Sequence, residues 1–149
     1  MTIARVLFGE IITLVATPFE QGRAALRHHE RGALAIGPDG KIAWVGEQSD
    51  LPFDYASWPQ EPAYGLIMPG FVDCHSHFPQ YKVIASYGAD LLEWLERYTF
   101  PEESKFGDAG YAGDIAQKFV RAMLGHGVTT ACVFSTIHAE AFAALMAAS

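Results

Sequence analysis

The chain has 149 residues, of which half are hydrophobic and 18 % are charged, and its formal net charge is −7. This length and apolar content predict a folded domain with a buried core and exclude an intrinsically disordered chain. The acidic balance argues against nucleic-acid binding, which needs a basic patch, and does not favour a membrane surface. With neither a membrane-spanning run nor a signal peptide in the sequence, we expect a soluble cytoplasmic protein.

Residues 1–63 predict β structure. Ile3 to Thr17 is rich in β-branched and apolar residues. Two short apolar runs, Gly32 to Ile36 and Lys41 to Gly46, flank a Pro-Asp-Gly sequence at residues 38–40. This arrangement is typical of a β-hairpin. The three prolines in residues 50–62 predict an irregular connection.

In residues 64–149, apolar runs typical of strands alternate with segments of helical periodicity. Because residues 1–63 lack this alternation, we place a domain boundary near Tyr64. Two nearly continuous apolar runs predict strands that are buried on both faces: Leu66 to Asp73, which Pro69-Gly70 interrupts, and Val128 to Phe134. Apolar residues three or four positions apart predict three helices: Ala89 to Tyr98, Gly110 to Leu124 and Ala139 to Ala148. Strands that alternate with helices predict an α/β fold with a parallel sheet.

The residues with the clearest chemistry end the first of these strands. Since side chains of a strand alternate between its faces, Asp73, His75 and His77 share one face and Cys74 takes the other. Two imidazoles on one face can converge on one divalent ion, and zinc binds such nitrogens. The pair is also compatible with a structural role, because a catalytic zinc usually needs three protein ligands.

The other histidines and the two cysteines provide no clear further ligand for a metal site. His138 follows the second predicted strand, where it either joins the same end of the sheet or opens the next helix, and the second interpretation is favoured. His126 lies in a helix-to-strand turn at the opposite end and is predicted to be structural. Cys74 and Cys132 lie in predicted buried runs without Cys-x-x-Cys spacing, so we expect unreactive core thiols.

The stretch from Pro69 to His77, an apolar strand that ends in His-x-His, resembles the amidohydrolase superfamily. Further stretches in the same order are similar to the guanine deaminase family of that superfamily: His77 to Tyr81, Leu91 to Leu95, Tyr98 to Glu103, Gly127 to Ala131 and Ser135 to His138. The resemblance covers Leu66 to Ser149 well and the β-rich segment loosely.

This resemblance implies an α/β fold in which residues 1–63 form part of a composite β-sandwich. Residues 64–149 would then form the first two βα units of a (β/α)8 TIM barrel, which is incomplete in this chain. The implied reaction is the hydrolysis of guanine to xanthine and ammonia with one bound zinc ion, by a full-length protein that is a homodimer. Carried over by motif, His75 and His77 are zinc ligands and Gln80 contacts the purine.

Three further residues have less certain roles. Trp94 is either an apolar wall of the purine site or a core residue of its helix, while Asp73 and His138 are candidates for groups that support the metal ligands. The family's remaining ligands and its proton-transferring residues have no match in this chain, so the catalytic residues are expected beyond Ser149 and the chain alone is expected to be inactive. Two alternatives stay open: an amidohydrolase for another aminated purine, a pterin or a triazine, and a non-catalytic fragment or binding module.

Overall fold

A computed structural model describes residues 3–149, and the chain divides into two compact units, Met1–Pro69 and Gly70–Ser149. The first unit contains four strands and two short helices: β1 (Arg5–Leu14), α1 (Pro18–Gln21), β2 (Leu26–Ile36), β3 (Ile42–Glu47), α2 (Phe53–Ala56) and β4 (Gln60–Ile67). The strands form one sheet in the order β3-β2-β1-β4. The predicted β-rich character of this segment is therefore confirmed for the described residues.

The predicted hairpin is confirmed by the antiparallel pairing of β2 and β3. Gly40 has φ 78°, a left-handed conformation that glycine adopts without steric cost. The turn is closed because the amide of Gly37 donates to the carbonyl of Lys41 at 2.8 Å. Val6 and Ala33 are fully buried in the core that this sheet covers.

The second unit contains two strands, β5 (Phe71–His77) and β6 (Val128–Phe134), which pair in parallel. Its helices are α3 (Leu91–Trp94), α4 (Phe100–Glu103), α5 (Ala109–Gly125) and α6 (Ala139–Ala148). The three predicted helices and the parallel pairing are confirmed, and the fold is α/β. Within residues 3–149 no helix is long and apolar enough to cross a membrane.

The core of the second unit lies along one face of α5. Ile115 and Phe119 of this helix pack in a buried cluster with Phe78 and Phe106. The helix begins where the Asp108 carboxylate accepts a hydrogen bond from the amide of Tyr111 at 2.8 Å, a cap that satisfies one of the free donors of the first turn. These contacts fix α5 beside the segment that follows β5.

The prediction of one strand over Leu66 to Asp73 is wrong. β4 ends at Ile67 and β5 begins at Phe71, and the two strands belong to separate sheets. The break falls at Pro69, which has no amide hydrogen to give to a strand ladder. Tyr64, where we placed the boundary, lies inside β4, whereas the two units separate after Pro69.

The predicted burial of both strands is also wrong. Phe71 and Val72 are 54 % and 63 % exposed, and Cys74 and Cys132 are exposed. In the described part of the chain β5 and β6 form a sheet of only two strands, so their apolar residues lack neighbouring strands that would cover them. The two cysteines are therefore not core thiols in this structure.

A buried carboxylate joins α4 to α5. Glu102 is 5 % exposed and accepts hydrogen bonds from Lys105 at 2.6 Å and from the Tyr111 hydroxyl. Burial alone would raise the pKa of Glu102, but these two hydrogen bonds and the charges of Lys105 and Lys82 outweigh it, so that its pKa is lowered. The pKa of Tyr111 is raised to about 12 by burial and by its hydrogen bond to Glu102.

We expect one of the six tyrosines to ionise only near pH 12, and the Tyr111→Phe variant to lack this step. The raised pKa means that protonated Tyr111 stabilises the fold below its ordinary pKa of 10.0, and that this contribution is lost as the pH rises through about 12. The measurement is a phenolate absorbance titration of both proteins. If the titration curves of the wild type and of Tyr111→Phe differ only by a step near pH 10, the raised pKa of Tyr111 is contradicted.

Candidate metal centre

Two histidines meet at the end of β5. His75 and His77 are two positions apart, and strand alternation therefore places both side chains on one face. Their Nε2 atoms lie 3.1 Å apart, so that one imidazole donates a hydrogen bond to the other. The structure thus brings together the two residues that the sequence proposes as metal ligands.

The geometry of this pair fits a zinc ion. Two nitrogens that bind one zinc at 2.0–2.1 Å with a tetrahedral angle would be about 3.3 Å apart. The observed separation of 3.1 Å between His75 Nε2 and His77 Nε2 is close to that value, and one metal ion can replace the shared hydrogen. Residues 3–149 contain no group of three or more His, Cys, Asp or Glu side chains that could hold a metal. The described part of the chain therefore offers two ligands.

An aromatic ring that no sequence motif indicated packs against both imidazoles. Phe134, the last residue of β6, pairs with His77 in the parallel register. Its ring lies 4.7 Å from that of His77 at 13°, and 5.0 Å from that of His75. An apolar group in this position limits the rotation of the imidazoles and keeps water from one side of them.

Gln80 lies beside the histidine pair. It is held there by a short helical turn, Phe78–Val83, whose first residue is fully buried. Gln80 Nε2 is 3.4 Å from His77 Nδ1 and donates to Glu103 Oε1 at 3.2 Å. Gln80, His75 and His77 line one pocket of about 430 Å³, a volume in the range of small-molecule sites.

Asp73 lies two positions before His75, whereas His138 follows β6, and among the hydrogen bonds of residues 3–149 neither side chain bonds an imidazole of the pair. Asp73 Oδ1 accepts a hydrogen bond from the backbone amide of His75 at 3.0 Å, so it shapes the end of the strand. His138 is the residue before α6, as the favoured interpretation predicted. It lines a separate pocket of about 380 Å³ together with Glu103.

Trp94 is the last residue of α3, and His126 directly follows α5. Trp94 is half-buried, and a Cβ atom at Gly88 would be 2.6 Å from the Trp94 Cβ, so its backbone packs tightly against that loop. It is not among the residues that line the pocket of His75 and His77. His126 follows the end of α5, where its Nδ1 donates to the carbonyl of Ala122 at 2.8 Å. It also lines the pocket of His75 and His77, although the sequence placed it at the opposite end of the strands.

Comparison with known proteins identifies the class of protein. The amidohydrolase family model matches residues 66–149, which is more than half of the chain and includes both strand-end histidines and Gln80. The chain therefore belongs to the amidohydrolase family.

Within that family the chain is similar to guanine deaminases. It is 39 % identical over 132 residues to the guanine deaminase of Escherichia coli (strain K12), an alignment that covers 87 % of this chain and 30 % of the relative. It is 53 % identical over 78 residues to that of Dictyostelium discoideum, covering 51 % of this chain and 17 % of the relative. The chain thus spans less than a third of the length of these curated relatives.

Solved structures agree with this placement. Guanine deaminase from Bradyrhizobium japonicum superimposes with a TM-score of 0.86 at 30 % identity, covering 97 % of this chain and 32 % of that one. The enzyme from C. acetobutylicum with guanine bound in its active site gives a TM-score of 0.77 at 30 % identity, with 97 % and 33 % covered. The α/β fold described above is therefore similar to the corresponding third of these structures.

Proposed function

We propose that the complete protein that carries this chain hydrolyses guanine to xanthine and ammonia with one bound zinc ion. In this proposal the chain supplies His75 and His77 as two zinc ligands and Gln80 as a contact to the purine. The observation that carries it is the 3.1 Å approach of the two Nε2 atoms beside the Gln80 amide. The similarity to guanine deaminases, one of them solved with bound guanine, supports the choice of substrate.

Each of these residues has a chemical role that its side chain suits. The two imidazoles are neutral nitrogen ligands, and Phe134 packs against both of them. The Gln80 amide offers donors and an acceptor, so it can bind the polar edge of a heterocycle and hold the ring. When bound, a zinc ion acts as a Lewis acid and lowers the pKa of a water molecule to about 7.

The proposal includes groups from outside this chain. A catalytic zinc usually has three protein ligands, and hydrolysis also needs a general acid that protonates the amino group, so that it leaves as ammonia when the C–N bond breaks. We propose that these groups lie beyond Ser149. In the same proposal residues 64–149 are the first two βα units of a (β/α)8 barrel, with β5 and β6 as its parallel strands. Residues 1–63 belong to a β-sandwich, and the full-length protein is a cytoplasmic homodimer.

The test is an ammonia-release assay on the purified complete gene product, with zinc and after zinc removal by a chelator. The substrates are guanine, another aminated purine, an aminated pterin and an aminated triazine. We expect guanine to be preferred and activity to need zinc, and we expect the 149-residue chain alone to release no ammonia. Preference for one of the other substrates would replace guanine in the proposal. An inactive complete protein that still binds guanine would favour a binding module.

A further inference from the structure

Glu103 is the one carboxylate that contacts Gln80 in the described part of the chain. Its Oε1 accepts a hydrogen bond from Gln80 Nε2 at 3.2 Å, across 23 positions of sequence. Glu103 is half-buried, at the end of α4, and follows the buried Glu102 that is anchored by Lys105 and Tyr111. The backbone that presents Glu103 is therefore fixed by its neighbour.

This contact determines which end of the Gln80 amide points to α4. An ionised carboxylate only accepts hydrogen bonds, so the group that faces Glu103 must be the amide nitrogen. The Gln80 carbonyl oxygen then lies on the other side of the amide group, where it remains an acceptor. The bond to Glu103 uses one of the two amide hydrogens, and the carbonyl oxygen at the opposite end of the amide can accept a hydrogen bond from a ring N–H.

The other neighbour of the amide does not fix this orientation. Gln80 Nε2 is also 3.4 Å from His77 Nδ1, but that longer contact requires a free lone pair on Nδ1. An imidazole that gives its Nε2 lone pair to a metal keeps its hydrogen on Nδ1, so it cannot accept from the amide nitrogen. The bond to Glu103 does not depend on the state of the ring.

Glu103 and Gln80 line different pockets. Gln80 faces the pocket of His75 and His77, whereas Glu103 lines the neighbouring pocket with His138. Glu103 can therefore act on a ligand in the pocket of His75 and His77 only through Gln80.

We propose that Glu103 is the positioning residue for Gln80, which it holds with the carbonyl oxygen free to accept a hydrogen bond from an N–H group of the substrate ring. The inference rests on the proposed function and adds to it a residue and the polarity of the hydrogen bond. It predicts that removal of the Glu103 carboxylate weakens the use of guanine only while Gln80 is present.

The experiment is a double-mutant cycle on the complete gene product. Glu103→Ala, Gln80→Ala and the double variant are compared for kcat and KM with guanine, and Glu96→Ala, an exposed glutamate of the same helical segment, is the control. We expect Glu103→Ala to lower kcat/KM about tenfold, the size of effect typical of a lost hydrogen bond to a charged group. In the Gln80→Ala background the same substitution is expected to change kcat/KM less than about twofold.

Glu103→Gln provides a second arm, because its amide keeps an acceptor oxygen but can also turn its nitrogen to Gln80. We expect its kcat/KM to lie between the value of the wild type and the value of Glu103→Ala. Effects that add in the double variant would show that Glu103 acts independently of Gln80 and would overturn the inference alone. A wild-type protein that does not deaminate guanine would overturn the proposed function and this inference with it.

Discussion

In the complete gene product, replacement of both His75 and His77 by alanine is expected to abolish stoichiometric zinc binding and to lower kcat/KM for guanine, the proposed substrate, by at least about 10³-fold. Residues that only orient metal ligands already cost about 10–100-fold when they are changed, and two direct ligands should cost more. The reason is geometric: the His75 and His77 Nε2 atoms lie 3.1 Å apart, a separation that fits two ligands of one ion.

The matched control removes two other adjacent histidines. His28 and His29 lie on β2, where each bonds a glutamate at 2.8 Å, Glu10 and Glu47 respectively. Their double alanine variant also loses two imidazoles, but we expect it to keep its zinc content and activity. Zinc is counted by elemental analysis of the purified proteins, and ammonia release is measured on the same samples. Retained turnover in the His75→Ala/His77→Ala protein would refute the metal assignment.

The position of this histidine pair could be predicted because it depends on one strand only. Alternation along β5 places His75 and His77 on one face whatever the rest of the chain does. The partners of the pair depend on tertiary structure instead. Phe134 reaches His77 through the parallel register of β5 and β6, which no local pattern specifies.

The position of Glu103 was missed for a related reason. The apolar spacing predicts a helix that ends near Tyr98, yet the helical segment continues to Glu103. A π-helical turn over Leu95–Thr99 leads into α4 and places Pro101 in its first turn, where a missing amide hydrogen costs nothing. Glu103 at the end of this segment then lies within hydrogen-bond distance of Gln80, at 3.2 Å.

Burial was the least predictable property. The apolar strands indicate a sheet that is covered on both faces, but the exposure of Val72 and Cys74 depends on which neighbours are present. Composition alone does not distinguish an apolar strand in a complete sheet from one in a two-stranded sheet. The helices were more predictable, because α5 and α6 bury one face against partners nearby in the sequence.

Phe78→Ala is expected to lower the free energy of unfolding by about 3–5 kcal/mol, the usual cost of a large side chain removed from a core. Phe78 is fully buried, and its ring packs edge-on against that of Phe106 at 5.2 Å and lies 6.1 Å from that of Phe119. A smaller side chain leaves a cavity that the neighbouring helices cannot close without moving. Denaturant unfolding of the purified protein gives the value.

The control and a second readout connect this core residue to the candidate metal centre. Phe53→Ala removes a ring that is 92 % exposed, and we expect a change within about 0.5 kcal/mol. Phe78 directly follows His77 and begins the turn that carries Gln80, so its loss should also weaken zinc binding. A stability loss below about 1 kcal/mol would mean that the cluster repacks around the missing ring. Zinc affinity that is unchanged in a strongly destabilised Phe78→Ala protein would mean that β5 alone holds the imidazoles in place.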